Sequence, residues 1–388
     1  MPQRAQRGGI MNTATTHTQF SFETDSDPAF VELWPATANA RFRSFGARPV
    51  RRSHGDSFVP NTLGFHGPIF DRTRMARNIR DQMTRRGAVG FSWAIVQNGQ
   101  LVDAGGVGDA RTQNETDQRN MTFDTRMVSA SLAKPVCAVT VMKLVEDRQL
   151  ALTDAAYPII EPTFPGGHDT LNGITIKDLL THQSGADVPA LLSSFPDTLT
   201  SPLANAPGFS TKYENWNYWF LAYVVEAITG RPYFDVANET VLEPMGIDSM
   251  TREVDANAPC LYYNANSTSG GGTWGDFTAT AIGAYGWFAS AIDWAKFMAH
   301  FRYDTVLARP TRRVMLNAPE TFFGFRHWDN EDRGSYYGHG GDFSSSSGAF
   351  HGGMMGFPDG IDAVLLTNSD DVPNPENILI DAYDAAYV

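Results

Sequence analysis

The sequence predicts an α+β fold, an α/β sandwich in which helices flank an antiparallel sheet and a helical region is inserted beside it. Three observations support this prediction: strand patterns lie near both ends of the 388-residue chain, helical periodicity fills the middle, and apolar residues make up 42% of the composition. That apolar content is typical of a globular protein with a sizeable core. Strands at both ends of a chain pair most simply into one antiparallel sheet.

The strand predictions depend on turn signals. Residues 89–96 and the stretch after Asn98-Gly99 predict two strands joined by a type I′ turn, because Asn-Gly is the dipeptide that such turns favour. A second pair of strands, within 348–358 and 361–368, surrounds Asp359-Gly360. These two pairs form the expected sheet.

The helix predictions depend on apolar spacing. Met75, Ile79 and Met83 define one helical face, and Gly87 ends that helix. A second apolar face predicts a buried helix over residues 132–148. Further helices are predicted over 174–182, over 216–229, from about Ser290, and over 375–387.

Two regions are expected along the chain. Residues 1–69 predict an irregular arm, and residues 70–388 predict one domain with its sheet from about 70–130 and 335–388 and its helical region over about 131–330. The arm carries a short basic cluster, interpreted as a solvated or internally paired surface. The cluster consists of Arg41, Arg43, Arg48, Arg51 and Arg52.

Composition excludes several function classes. A net charge of −13 argues against nucleic acid or an anionic membrane as a partner. No apolar stretch is long enough to span a bilayer, and the start has no apolar signal-peptide region, so a cytoplasmic protein is expected. Cys137 and Cys260 are too few for a disulfide framework, and the histidines show no metal-binding spacing. No cofactor or metal is expected.

The first chemical motif is S-x-x-K, formed by Ser131 and Lys134. Residues at i and i+3 of a helix lie on the same side, one turn apart. A serine hydroxyl is a poor nucleophile until a base takes its proton, and a lysine serves as that base when burial keeps it neutral. Alone, the pair is equally explained by a helix N-cap and a surface charge.

Two further motifs follow along the chain. Tyr213 and Asn215 form Y-x-N, in which a phenol can relay a proton and an amide can hold a lysine and a substrate carbonyl. His339-Gly340-Gly341 precedes Asp342 on a late strand, where glycine lets a backbone approach a ligand closely. Each also has an ordinary explanation, as an aromatic helix start and as a turn with a satisfied histidine.

The order S-x-x-K, Y-x-N, H-G-G resembles the serine β-lactamase and penicillin-binding-protein superfamily. The chain is most similar to the branch that holds class C β-lactamases, family VIII carboxylesterases and D-aminopeptidases. LLTHQSG at 179–185 resembles that branch's LLTHTSG segment, and LEPMGIDSM at 242–250 resembles its EPLGM segment. The resemblance covers about residues 70–388.

The resemblance implies a role for each matching residue. Ser131 would be the acylated nucleophile, Lys134 its general base, and Tyr213 the group that passes the proton to the leaving group. Asn215 would orient Lys134 and the substrate carbonyl. His339 and Gly341 would belong to the substrate-binding strand, and the N–H groups of Ser131 and Asp342 would form the oxyanion hole.

The third motif departs from the β-lactamase pattern in a way that bears on substrate. His339 and Gly340 stand where β-lactamases have lysine and commonly threonine, which help to bind the drug's carboxylate. We therefore expect a carboxylesterase-like serine hydrolase that acts on small ester or amide substrates. The alternatives are an acyltransferase, a peptide cyclase or D-aminopeptidase-type enzyme, a true class C-like β-lactamase, and a catalytically silent binding protein.

Aromatic residues near Y-x-N, together with Trp274 and Trp287, point to a bulky or apolar substrate, although core packing explains them equally well. A homo-oligomer is possible.

Overall fold

The computed structural model describes residues 70–188, 194–256, 259–264, 271–278, 281–316, 322–330 and 332–387. The predicted N-terminal arm, with its arginine cluster, lies outside these residues. The strands are β1 (Gly90–Gln97), β2 (Gln100–Arg111), β3 (Arg119–Asn120), β4 (Met127–Val128), β5 (Phe288–Ala289), β6 (Arg326–Asn330), β7 (Gly334–Ser345), β8 (Gly348–Gly356) and β9 (Ile361–Thr367).

Helices lie at each of the six predicted positions, and four further helices among the described residues were not predicted. They are α1 (Arg72–Arg85), α2 (Ala133–Glu146), α3 (Ala156–Ile160), α4 (Ile176–Leu180), α5 (Phe195–Thr198), α6 (Asn215–Thr229), α7 (Tyr233–Ala237), α8 (Ala291–Arg302), α9 (Arg309–Leu316) and α10 (Pro375–Asp384). Ser290 caps α8, since its hydroxyl accepts from the Asp293 N–H at 3.2 Å. The helix predicted from about Ser290 is therefore confirmed.

An antiparallel sheet of seven strands, in the order β3-β2-β1-β9-β8-β7-β6, forms the centre of the described structure. Its β1–β2 turn has positive φ at both Asn98 (52°) and Gly99 (73°), as a type I′ turn requires. The predicted α+β class is confirmed. The edge strand β6 falls inside the range for which a helical region was expected, because a short, partly exposed edge strand carries no apolar alternation.

The two faces of the sheet build two cores. Alternate residues of β1 point to opposite faces, as the strand period of two demands. Phe91 and Ile95 pack with α1 and α10, whereas Ala94 and Val96 belong to the larger core that also holds α2, α6 and α8. The candidate site lies on this second side, between the sheet and the helical region.

A buried ion pair fastens α8 to the sheet. Arg302 donates from Nη2 to Asp362 Oδ1 at 2.8 Å and from Nε to Oδ2 at 3.0 Å, and Asp362 is fully buried. The same guanidinium donates to the carbonyls of Phe357 and Ile361, each at 2.9 Å. One side chain thus joins α8 to the turn between β8 and β9.

Within the described ranges, none of the helices combines the length and the apolar character that crossing a bilayer requires.

Candidate active site

A strained turn presents Ser131. The turn spans Ala130–Leu132 directly before α2, and Ala130 has φ of 45°, a conformation that residues with a Cβ seldom adopt. Two contacts hold the preceding residue: Trp294 Nε1 donates to Ser129 Oγ at 2.8 Å, and the Ser129 N–H donates to the Trp287 carbonyl at 3.0 Å. Local strain of this kind often accompanies function.

Lys134 is fully buried in the first turn of α2. Its Nζ lies 3.1 Å from Ser131 Oγ, 2.6 Å from Asn215 Oδ1 and 2.7 Å from the Ala284 carbonyl oxygen. Burial lowers the pKa of Lys134 well below its usual value, and the Arg326 cation lowers it further. A neutral amine here donates two hydrogens to Asn215 and Ala284 and keeps its lone pair for the serine hydroxyl.

Tyr213 lies against the same pair. Its ring centroid is 4.7 Å from Lys134 Nζ, and its hydroxyl interacts with the side chain of Ser131. Burial raises the pKa of Tyr213, so the phenol keeps its proton near neutral pH. The structure therefore brings Ser131, Lys134, Tyr213 and Asn215 into one contact group.

His182 supports the Y-x-N segment and was not singled out as a site residue in the sequence. Its Nδ1 accepts from the Glu214 N–H at 3.2 Å and lies 3.0 Å from Asn217 Nδ2, while its ring centroid lies 4.5 Å from that of Tyr213. Burial lowers the pKa of His182 well below its usual value, which keeps the ring neutral. The segment LLTHQSG, which contains this histidine, was the available signal.

The H-G-G strand runs beside the turn that carries Ser131. Strand β7 pairs with β6 only as far as Gly338. From His339 onward, the described structure pairs β7 with β8 alone. A Cβ on Gly341 would lie 2.4 Å from the Ser129 carbonyl oxygen. Glycine at 341 therefore allows the strand to contact the turn that carries Ser131.

His339 is buried, and its Nδ1 lies 2.5 Å from the Gly340 carbonyl oxygen. Burial lowers the pKa of His339 to about 3, and the nearby Arg326 cation lowers it further. The ring is neutral at physiological pH and lies 6.1 Å from the Tyr213 ring. The position thus lacks the cation that β-lactamases place there.

The outer face of β7 carries carboxylates. Asp342 Oδ1 lies 2.6 Å from His351 Nδ1, between paired residues of β7 and β8. The carboxyl group of Glu376, the second residue of α10, lies next to Gly340. A Cβ on Gly340 would lie 2.7 Å from both of its oxygens. Burial raises the pKa of Glu376. The Asp342 side chain thus binds His351, which leaves its backbone N–H as the group proposed to face the substrate.

Arg326, the first residue of β6, was also missed in the sequence. Its guanidinium carbon lies 5.4 Å from the Tyr213 ring centroid and 5.5 Å from that of Phe322. A lone arginine in an edge strand gives no motif signal. The arginine brings a positive charge to the side of Tyr213 that faces β6.

A cavity of about 420 Å³ opens beside Ser131. Its polar lining includes Ser131, Asn215, Glu214 and Asp342. Its aromatic lining consists of Trp216, Trp219, Trp274, Phe277, Tyr285 and Phe343. Of the two tryptophans singled out in the sequence, Trp274 lines this cavity, whereas Trp287 is fully buried and stacks on Phe234 at 5.4 Å.

The chain matches known proteins in both family and fold. A model of the family described as Beta-lactamase matches residues 75–386, most of the chain. The chain therefore belongs to the Beta-lactamase family, a family of serine hydrolases that act by acyl transfer.

The chain is similar to several relatives over part of their length. It is 29% identical to the putative penicillin-binding protein PbpX of Bacillus subtilis over 168 residues, which is 41% of each chain. It is 30% identical to esterase EstB of Burkholderia gladioli over 202 residues, 43% of this chain and 48% of the esterase. The chain thus spans less than half the length of these relatives.

Among solved structures, the octameric penicillin-binding protein homologue from Pyrococcus abyssi superimposes with a TM-score of 0.66 and 21% identity. The match covers 80% of this chain and 76% of that one, and it supports the fold.

Proposed function

We propose that this protein is a carboxylesterase-like serine hydrolase that forms an acyl-Ser131 intermediate on ester or amide substrates. One observation carries the proposal: the fully buried Lys134 amine lies 3.1 Å from the Ser131 hydroxyl, while Asn215 and the Ala284 carbonyl occupy its other hydrogen-bonding directions. A neutral amine in that position is a general base within reach of the proton it must remove.

Acylation begins when the Ser131 proton moves to Lys134 Nζ. Oγ bonds to the substrate carbonyl carbon, and the carbonyl electrons move onto oxygen. The resulting oxyanion accepts hydrogen bonds from the backbone N–H groups of Ser131 and Asp342, which lie on the nucleophile turn and on the neighbouring strand β7. Donors of this kind typically contribute about 100- to 1,000-fold each.

Collapse of the intermediate breaks the bond to the leaving group. Tyr213 gives its proton to that group and regains one from the Lys134 ammonium, so Lys134 becomes neutral again. The raised pKa of Tyr213 suits this role, because a phenol that keeps its proton is available as an acid. Water then gives a proton to Lys134, attacks the acyl carbon and releases the acid, and Ser131 recovers its hydrogen.

The site favours substrates without an obligatory carboxylate. His339 is neutral because its pKa is about 3, and Gly340 offers no hydroxyl. Asp342 and Glu376 add carboxyl groups to the outer face of the same strand. Ester and amide carbonyls need only the oxyanion hole and a pocket for the acyl group.

A fluorophosphonate probe followed by mass spectrometry tests the nucleophile. We expect a single covalent adduct on Ser131 in the wild type, none on that residue in Ser131→Ala, and normal labelling in the exposed control Ser347→Ala. Ser131→Ala should also abolish hydrolysis of p-nitrophenyl butyrate. A folded wild-type protein that neither labels nor turns over esters would instead be a binding protein on this fold.

The acceptor and the assembly state are separate predictions. Product analysis with a primary amine or alcohol present distinguishes hydrolysis from acyl transfer or cyclisation, because only a transferase puts most of the acyl group on the added acceptor. A homo-oligomer stays a prediction, which light scattering coupled to size exclusion tests.

A further inference from the structure

We infer that the acyl part of the substrate is an aromatic or comparably large apolar group, bound among the aromatic side chains of the cavity beside Ser131. This inference rests on the proposed function, since it assigns the acyl side of the same site.

The cavity lies on the acyl side of the nucleophile. Ser131 and Asn215 line it, whereas Tyr213 is not among the described residues of its lining. Because Tyr213 passes its proton to the leaving group, the leaving group lies toward Tyr213. The space bounded by Asn215 therefore receives the other half of the substrate.

The first aromatic group of the lining belongs to α6. Trp216 and Trp219 are three residues apart, which places both indoles on one side of the helix. Trp216 is fixed, because its Nε1 donates to Thr198 Oγ1 at 2.7 Å and its ring stacks against Phe195. Trp219 is half-buried and leaves part of its ring open.

The second aromatic group comes from the 271–278 segment and β7. Trp274 packs edge-on against Phe343, with ring centroids 4.0 Å apart, and stacks on Phe277 at 5.7 Å. Trp274 and Phe343 are half-buried, so each keeps ring surface that a ligand can cover. Aromatic side chains make favourable edge-on and offset contacts with an aromatic guest.

The carboxylates of the lining have partners in the protein. Glu214 pairs with Lys212 Nζ at 2.9 Å, and Asp342 lies 2.6 Å from His351 Nδ1, so neither requires a cationic substrate as its partner. A volume of about 420 Å³ lies in the usual range of roughly 300–1,000 Å³ for small-molecule sites. An acetyl group would leave most of that space unfilled, whereas a phenylalkanoyl group fills far more of it.

The test varies the acyl group and holds the leaving group constant. The substrates are the p-nitrophenyl esters of acetic, butyric, phenylacetic and 4-phenylbutyric acids. We expect kcat/KM to rise at least about 30-fold from acetate to 4-phenylbutyrate, since one buried methylene alone can be worth about tenfold. Trp274→Ala should reduce that ratio at least fivefold, Trp274→Phe should retain most of it, and the exposed control Phe209→Ala should not change it.

An equilibrium measurement separates binding from chemistry. Ser131→Ala should bind 4-phenylbutyramide much more tightly than acetamide, measured by quenching of tryptophan fluorescence, and Trp274→Ala in that background should weaken the binding. Two results in an enzyme that labels on Ser131 would overturn this inference alone. One is a kcat/KM that does not vary with the acyl group. The other is a ratio of kcat/KM values that Trp274→Ala leaves unchanged. Absence of both labelling and ester turnover overturns the proposed function and the acyl assignment with it.

Discussion

Gly341→Ala should damage the site without unfolding the protein. The new Cβ would lie 2.4 Å from the Ser129 carbonyl oxygen, whereas Cβ contacts in proteins essentially never fall below 3.0 Å and become ordinary at 3.4 Å. Strand β7 and the turn that carries Ser131 must therefore separate by about 0.6–1.0 Å. Backbone atoms form the obstacle, so a side-chain rotation cannot relieve it.

That separation would widen the proposed oxyanion hole, because one of its two N–H donors lies on the turn and the other lies on β7. Losing one such donor costs about 2.7–4 kcal/mol, which is about 100- to 1,000-fold in rate. We expect kcat/KM of Gly341→Ala for p-nitrophenyl butyrate to fall by about 100-fold. Urea unfolding should show a loss of only about 1–3 kcal/mol, the usual cost of one overpacked methyl.

The matched control is Gly173→Ala. A Cβ at 173 meets only Pro207 side-chain atoms, at 3.6 Å or more, and the position lies at the end of a short turn in the helical region. Its kcat/KM should stay near that of the wild type. If Gly341→Ala kept kcat/KM within threefold of the wild type while folded, the oxyanion hole would not depend on the contact between β7 and the turn.

Four further outcomes are expected. Lys134→Arg should be nearly inactive, because arginine keeps its proton at working pH. In the wild type, kcat/KM should fall as pH drops through the lowered pKa of Lys134, since protonation removes the base. His339, with a pKa near 3, should add no further inflection to the pH profile between pH 5 and 9. Asp362→Ala leaves the Arg302 cation buried without its partner, so the free energy of unfolding in urea should fall by about 3–5 kcal/mol. The ratio of kcat/KM for p-nitrophenyl butyrate to that for nitrocefin should be well above one. A ratio below one would indicate that another cation, such as Arg326 beside Tyr213, holds the drug's carboxylate.

Short-range patterns explain why much of the framework could be predicted. The spacing of Ser131 and Lys134 puts both on one side of a helix start, and Asn98-Gly99 specifies a turn with two positive φ values. Both are properties of neighbouring residues. The class of fold followed from where such local signals lie along the chain.

Contacts between distant segments explain what the sequence left open. The Ala284 carbonyl accepts from Lys134 across 150 residues, and a backbone oxygen carries no sequence signal. The contact of His182 with the Glu214 N–H and the approach of Arg326 to Tyr213 likewise depend on tertiary packing. Such partners become visible only when the chain is folded.

The contact between Gly340 and Glu376 constrains how this site can change. Introducing a threonine at 340, as many β-lactamases have, would place its Cβ 2.7 Å from the carboxyl oxygens of the buried Glu376. The Glu376 carboxyl group must then move away, or residue 376 must be smaller. A route toward carboxylate-bearing substrates therefore couples two positions, one on the strand and one on α10. Libraries that vary both positions would sample that route more fully than libraries that vary the third motif alone.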